Sequence, residues 1–231
     1  MKKLSLIIAL MLTGCSKGYI ITENTVEHTT WHKIYGKHDT LVKGADPKSF
    51  KALNDYYGVD KKSAWYWQQE VEGSDVKTFA VINDVYANDN RYGYFQGKRI
   101  KGSDGKTFQV SELSWSWSRD VNDYYYYGKK LNVCDIKTFK LLPDKLRGVD
   151  KRCYYYAGHK VEIMDRESLK ILPVLYAKDK FQVYYDNYII KNADPKTFNA
   201  FKDSKTGRYI IRDKRNCYYG TRVIPCNKQD E

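Results

Sequence analysis

The chain has 231 residues, with 40 Lys and Arg against 28 Asp and Glu for a net charge of +12, and 42% of it is hydrophobic. That length allows one large domain, two small ones or a run of small repeats, while the apolar share excludes a wholly disordered chain and a mean hydropathy of -0.69 excludes a multi-span membrane protein. The 22 Tyr, set beside 8 Phe, 5 Pro and 15 Gly, favour strands and turns over helices.

The first element is a targeting segment. Lys2 and Lys3 form a positive start, and Leu4 to Leu12 form an apolar run too short to cross a bilayer core of about 30 Å. Leu12-Thr13-Gly14-Cys15 then resembles the lipobox of bacterial lipoproteins, in which the cysteine is diacylated after cleavage before it. The resemblance implies a signal peptide over residues 1–14, a lipid on Cys15 and a location in the bacterial cell envelope, on the outer membrane if the cell is Gram-negative. Two or more acyl chains make a lasting anchor where one binds only marginally. Residues 15–30, polar with Gly18, Glu23, Asn24 and Thr25, read as the lipidated N-terminus and a tether. Cleavage removes two lysines and leaves the mature chain at +10.

From residue 31 to 226 the sequence repeats itself. A pentad recurs at Asp46-Pro-Lys-Ser-Phe50, Asp75-Val-Lys-Thr-Phe79, Asp104-Gly-Lys-Thr-Phe108, Asp135-Ile-Lys-Thr-Phe139, Asp165-Arg-Glu-Ser-Leu169 and Asp194-Pro-Lys-Thr-Phe198, its aspartates 29, 29, 31, 30 and 29 residues apart. A second aspartate follows each pentad, at 60, 89, 120, 150, 179 and 213, and an aromatic cluster follows each of those. A fixed period near 30 predicts a repeat architecture. Stretches such as Tyr154-Tyr-Tyr-Ala-Gly158-His-Lys-Val161 read as strand, turn and strand, and with Trp31 to Leu41 there are seven such hairpins. The pentad reads as a cap whose Asp accepts an N–H two or three residues on, with Phe pointing inward. One hairpin cannot bury its own apolar face, so successive units must stack. The expected fold is all-β, with tandem hairpin repeats of about 30 residues in a curved solenoid-like array. A closed propeller-like ring is the alternative, although 30 residues is short for a four-stranded blade.

Asp-Lys-x-x-x-Tyr-Tyr, then Gly-Lys, then Asp-x-Lys-Thr-Phe, resembles the DKNYY repeat family of bacterial proteins over about residues 31 to 224. Asp89-Asn90 and Asp120-Val121 depart from it by lacking the lysine, and Leu169 departs by replacing Phe. The family is of unknown function and is often found in exported proteins, so the resemblance implies architecture and export rather than an activity.

Candidate chemistry is sparse. Asn88-Asp89-Asn90 and Asp120 to Asp123 look like calcium loops but lack the required glycine and final Glu, so turn capping is the reading and no metal or cofactor is expected. His28 and His32, four apart, would make a zinc pair only on a helix, and in a hairpin they read as exposed. Cys134, Cys153, Cys217 and Cys226 allow three pairings in an oxidising compartment; Cys217 and Cys226 flank the last hairpin, and Cys134–Cys153 would then join neighbouring units. Trp65 with Trp67, and Trp115 with Trp117, alternate as if each pair shared one strand face, either filling the core or, if exposed, stacking sugars or bases. Lys48, Lys77, Lys106, Lys137 and Lys196 hold the third place of the pentad and would line up as a basic stripe for an anionic surface.

No nucleophile elbow, phosphate loop or dinucleotide fingerprint occurs. The expected function is a non-catalytic binding or interaction module, held on the membrane by its lipid, for an envelope polymer or a protein. Nucleic acid is the least expected partner of an exported chain. An envelope hydrolase with a site assembled from several repeats is the alternative.

Overall fold

The aromatic run of each repeat forms a strand, and a two-residue turn returns the chain along it as a second strand, as alternation and turn chemistry require. The computed structural model of the protein describes residues 18–226, where every regular element is a strand and no helix occurs. They fall into two compact units, the chain dividing between Arg99 and Ile100.

The first unit holds three antiparallel sheets. One is three-stranded, with β1 (Gly18–Ile21), β2 (Val26–His32) and β3 (Gly36–Leu41). The next two are four-stranded: β4 (Lys51–Ala52), β5 (Tyr57–Val59), β6 (Ala64–Tyr66) and β7 (Gln69–Val71), then β8 (Ala80–Val81), β9 (Tyr86–Asn88), β10 (Gly93–Phe95) and β11 (Lys98–Arg99).

The second unit holds four sheets of four strands. These are β12 (Gln109–Val110), β13 (Trp117–Arg119), β14 (Tyr124–Tyr126) and β15 (Lys129–Lys130); β16 (Lys140–Leu141), β17 (Arg147–Val149), β18 (Tyr154–Tyr156) and β19 (His159–Val161); β20 (Lys170–Ile171), β21 (Tyr176–Lys178), β22 (Val183–Tyr185) and β23 (Tyr188–Ile189); and β24 (Asn199–Lys202), β25 (Tyr209–Arg212), β26 (Cys217–Tyr219) and β27 (Arg222–Ile224).

All seven sheets run in chain order, so the fold is a tandem β-repeat. Two expectations change. Each full repeat is a four-stranded meander rather than a lone hairpin, and about 30 residues suffice because its strands are mostly two or three residues long. The segment from Gly18 to Thr30, read as tether, is built into the first sheet: β1 pairs with β2 from Gly18↔Thr29 to Ile21↔Val26. Cys15 and residues 1–14 lie outside the described residues.

One carboxylate organises each repeat. Asp150 is 2% exposed; its Oδ1 accepts the N–H groups of Arg152 and Cys153, both at 2.7 Å, and its Oδ2 accepts the Asp135 N–H at 3.1 Å and the Tyr155 hydroxyl at 2.8 Å. The same four-donor clamp recurs around Asp60, Asp89, Asp120, Asp179 and Asp213, with Trp65 Nε1 taking the place of the tyrosine hydroxyl at Asp60. Burial pushes these carboxyls up, but the donated hydrogen bonds outweigh it and hold Asp60, Asp89, Asp150, Asp179 and Asp213 below the ordinary value. The clamp therefore ties the two sequence motifs of each copy together, the pentad by its first N–H and the aromatic strand by its polar tip.

The pentad itself is a hydrogen-bonded turn. Asp75 Oδ1 accepts the Lys77 N–H and its Oδ2 accepts the Thr78 hydroxyl, while Thr78 Oγ1 in turn accepts the Asn90 N–H. Phe50, Phe108, Phe139 and Phe198 are buried, and Phe79 and Leu169 partly so. The Phe139 ring lies over Gly148, where an added Cβ would stand 2.5 Å from the ring tip. Each apolar cluster draws on two consecutive sheets, such as Trp117 and Leu131 with Phe139 and Tyr155 in the second unit, which is the stacking a lone repeat needs.

Polar stitches accompany that packing. In the first unit Tyr19 donates to the Tyr56 carbonyl at 2.8 Å and Tyr57 to the Val85 carbonyl at 3.0 Å. In the second, Trp117 Nε1 reaches the Lys145 carbonyl at 2.9 Å, and Tyr176 reaches that of Gly220 at 3.0 Å. Arg147 fills the equivalent place between them, donating to the carbonyls of Leu172 and Tyr176 while its Nε meets Asp144 Oδ2 at 2.6 Å. The sulfurs of Cys134 and Cys153 are joined, fixing the chain that enters one sheet to the turn before β18, and Cys217 is joined to Cys226 across the last hairpin.

Candidate ligand-binding surface

Six two-residue turns close the third and fourth strands of the six full repeats: Trp67-Gln68, Gln96-Gly97, Tyr127-Gly128, Ala157-Gly158, Asp186-Asn187 and Gly220-Thr221. In every one the first residue has a left-handed backbone, with φ of 55°, 50°, 47°, 44°, 56° and 60°. Glycine takes that conformation freely, whereas a bulky residue held there costs on the order of 1–3 kcal/mol. Five of these first residues donate their N–H across the sheet, Trp67 to Tyr56, Gln96 to Val85, Tyr127 to Ser116, Ala157 to Leu146 and Asp186 to Leu175. The turns are thus fixed platforms. Gly158 has a further reason to be glycine, since a Cβ there would stand 2.6 Å from Cβ of Tyr126.

The tryptophans do not share a face. Trp65 and Trp117 are buried on strands, while Trp67 is 38% exposed at its turn and Trp115 is 53% exposed in the turn before β13. The expected alternation ends at Tyr66 because Trp67 is the turn itself, and only Trp117 belongs to a strand because Trp115 precedes it. Trp67 sits beside three rings in nearly parallel planes, His28 at 5.8 Å, Tyr66 at 6.0 Å and Tyr56 at 6.1 Å between centroids. In the second unit Trp115 meets Tyr127 edge-on at 5.1 Å.

A cavity of about 270 Å³ opens beside Trp67, lined by Tyr66, Gln68, Gln69, Gln96 and Lys98. A second, of about 570 Å³, shares Gln69 and Lys98 with it and continues past Glu70, Glu72, Gly97 and Arg99. Both lie along β7 and β11, each the last strand of its sheet. Sequence reasoning missed Gln68, Gln69, Gln96 and Lys98, although the first residue of each turn stands at a fixed place in the repeat and marks them.

The other expected residues are placed as follows. Lys48 and Lys77 in the first unit, and Lys106, Lys137 and Lys196 in the second, are all exposed, with Glu167 interrupting the series in the fifth pentad. Lys61 meets Asp46 at 2.9 Å, Lys180 meets Asp165 at 2.5 Å and Lys214 meets Asp194 at 3.6 Å, so these pentad carboxylates are matched by the lysine after the clamp aspartate. His28, expected to be exposed, is 2% exposed, because Nε2 donates to the Asp55 carbonyl at 2.8 Å and the ring packs edge-on against Tyr19. Among the described residues no group of three or more His, Cys, Asp or Glu is arranged to hold a metal ion, and no helix is long and apolar enough to cross a membrane.

A family model described as the DKNYY family matches residues 62–129 and 132–222, more than half of the chain. No curated protein and no solved structure matches it.

Proposed function

The chain belongs to the DKNYY family, and on that premise we propose that it is an exported, lipid-anchored lipoprotein whose repeats form a non-catalytic binding module for a polymer of the cell envelope. The single observation behind the binding role is the contrast between frame and tips. Six clamps are built alike, whereas the six left-handed turns begin with Trp, Gln, Tyr, Ala, Asp and Gly. Within each unit, a frame of stacked repeats that presents varied side chains at its turns is how repeat folds make binding surfaces. The anchor rests on the sequence: Lys2-Lys3, the apolar run, and Gly14 before Cys15. The partners are then the membrane, through the lipid, and the polymer at the turns. In a Gram-negative cell the membrane is the outer one.

Two arms test this reading. Fractionation of cells expressing the parent and Cys15→Ser chains should move the protein from the membrane to the soluble envelope fraction, and retention of the variant in the membrane would refute the anchor. Detergent-solubilised parent chain should co-sediment with insoluble envelope polymer, and a chain that stays in the supernatant would refute the binding module.

A further inference from the structure

The first unit carries a more specific feature than varied tips, and its interpretation rests on the binding-module reading. We propose that Trp67, with Gln68, Gln69, Gln96 and Lys98, is a subsite for one pyranose ring of a neutral glycan chain, and that the adjoining groove takes the residues beyond it.

Three observations converge. Trp67 holds a left-handed φ of 55° where glycine or asparagine would sit without strain, and backbone strain of this kind is a mark of functional positions. Trp67 as a residue is 38% exposed, and its ring lies nearly parallel to those of His28, Tyr66 and Tyr56, so it is braced as a flat platform rather than folded into the core. Around it stand three amide side chains and one ammonium. The C–H face of a sugar ring is apolar and flat, and it stacks on an indole while its equatorial hydroxyls both donate and accept. Amides serve both needs, since each offers one acceptor and two donors.

Size and charge narrow the ligand. The cavity of about 270 Å³ lies under the range of about 300–1,000 Å³ usual for an enclosed ligand, which suits one ring of a chain passing through. The groove continues through Gln69 and Lys98 into the larger cavity, giving the chain a path along β7 and β11. There Glu70 and Glu72 balance Lys98 and Arg99, and Arg99 is already seated 4.7 Å over the Tyr92 ring. A single-stranded nucleic acid would also stack on Trp67, but its backbone needs a basic track. A balanced groove favours the neutral polymer.

The test titrates the full chain in detergent with three probes: a β-1,4-linked N-acetylglucosamine hexamer, a β-1,4-linked glucose hexamer and a single-stranded oligonucleotide, followed by tryptophan fluorescence and calorimetry. At least one oligosaccharide should bind with little salt dependence. Trp67→Asn, measured below its own melting point, should weaken it by about tenfold or more; asparagine suits the left-handed turn, so the chain still folds, with a lower melting temperature from the lost contacts to Tyr56 and Tyr66. Gln96→Ala should weaken it several-fold. The proposal falls if neither oligosaccharide binds, if the oligonucleotide alone binds, or if Trp67→Asn binds like the parent. It falls too if the binding lost in Trp67→Asn is no more than its loss of folded chain, or if Trp67→Phe, which keeps a flat ring, recovers stability and binds no better than Trp67→Asn. If the parent still co-sediments with envelope polymer in any of these cases, the glycan subsite fails and the binding module stands. If it does not, both fail.

Discussion

The Tyr155 hydroxyl donates to Oδ2 of Asp150, five residues earlier, over 2.8 Å, and that oxygen also accepts the N–H of Asp135. The relation returns as Tyr94 to Asp89, Tyr125 to Asp120, Tyr184 to Asp179 and Tyr218 to Asp213, with Trp65 to Asp60 as the indole variant. A buried carboxylate facing four donors is stable only while all four remain, which makes the clamp the point where each repeat is most easily broken.

Tyr155→Phe keeps the ring and removes one charge-assisted donor, and it should cost about 1.5–3 kcal/mol. Asp150→Ala strands the N–H groups of Arg152, Cys153 and Asp135 together with the Tyr155 hydroxyl, and it should cost more than the tyrosine change. Urea unfolding of both variants checks the order, and an Asp150→Ala loss smaller than the Tyr155→Phe loss would contradict the clamp.

Arg147 stands where its neighbours use an aromatic tip to reach the next sheet, and it is 5% exposed. Arg147→Met would remove the ion pair at Asp144 Oδ2 and the guanidinium donor to the Leu172 and Tyr176 carbonyls, although Asp144 keeps two backbone N–H donors and the Tyr176 carbonyl keeps the Leu172 N–H, a loss of about 3–5 kcal/mol. Phe198→Ala, a cavity in the same unit, should cost a similar amount by a different route. Guanidinium unfolding of the two variants gives both numbers, and an Arg147→Met cost under about 1 kcal/mol would show that the stitch is dispensable.

Stability should fall at both ends of the pH scale. The carboxyls of Asp60, Asp89, Asp150, Asp179 and Asp213 are held below their ordinary value of 3.8, so their contribution is complete above it and is lost as pH falls through the lower folded values. At the alkaline end burial pushes Tyr154, Tyr156, Tyr176 and Tyr218 up from 10.0 to about 12, so their contribution is complete below pH 10.0 and is lost as pH rises towards 12. Melting temperature against pH should trace a plateau between those limits, with tyrosinate absorbance rising late and together with unfolding. Smooth ionisation of all 22 tyrosines near pH 10 without unfolding would contradict it.

Reduction of the disulfides should destabilise the second unit alone. The separations of 19 and 9 residues correspond to about 3 and about 2.5 kcal/mol of loop entropy respectively. Cys134→Ser should therefore cost slightly more than Cys226→Ser in thermal unfolding, and equal melting with and without reductant would refute both bonds.

Much of this frame is legible in the sequence. The period, the inward Phe of the pentad and the Tyr strands could be read because each depends on local spacing. The clamp left a signal too, an aromatic five residues after every second aspartate, but its meaning required the pentad N–H, 14 residues earlier in the case of Asp46 and Asp60. Strands such as Lys98–Arg99 are too short to show alternation, so the four-stranded meander was hidden. His28 reads from the sequence as a surface residue because its partner, the Asp55 carbonyl, lies 27 residues away. The Trp67 platform was half legible: the aromatic pair was visible, but not that one member is on a strand and the other on a turn.

The separation of frame from tips is tested most directly by one paired measurement, co-sedimentation with insoluble envelope polymer and melting temperature for Tyr155→Phe and Trp67→Asn side by side. The frame variant should melt lower yet bind like the parent while folded, and the tip variant should lose binding even well below its own melting point. The opposite pattern, with binding lost through Tyr155→Phe below its melting point and kept in Trp67→Asn, would contradict the account.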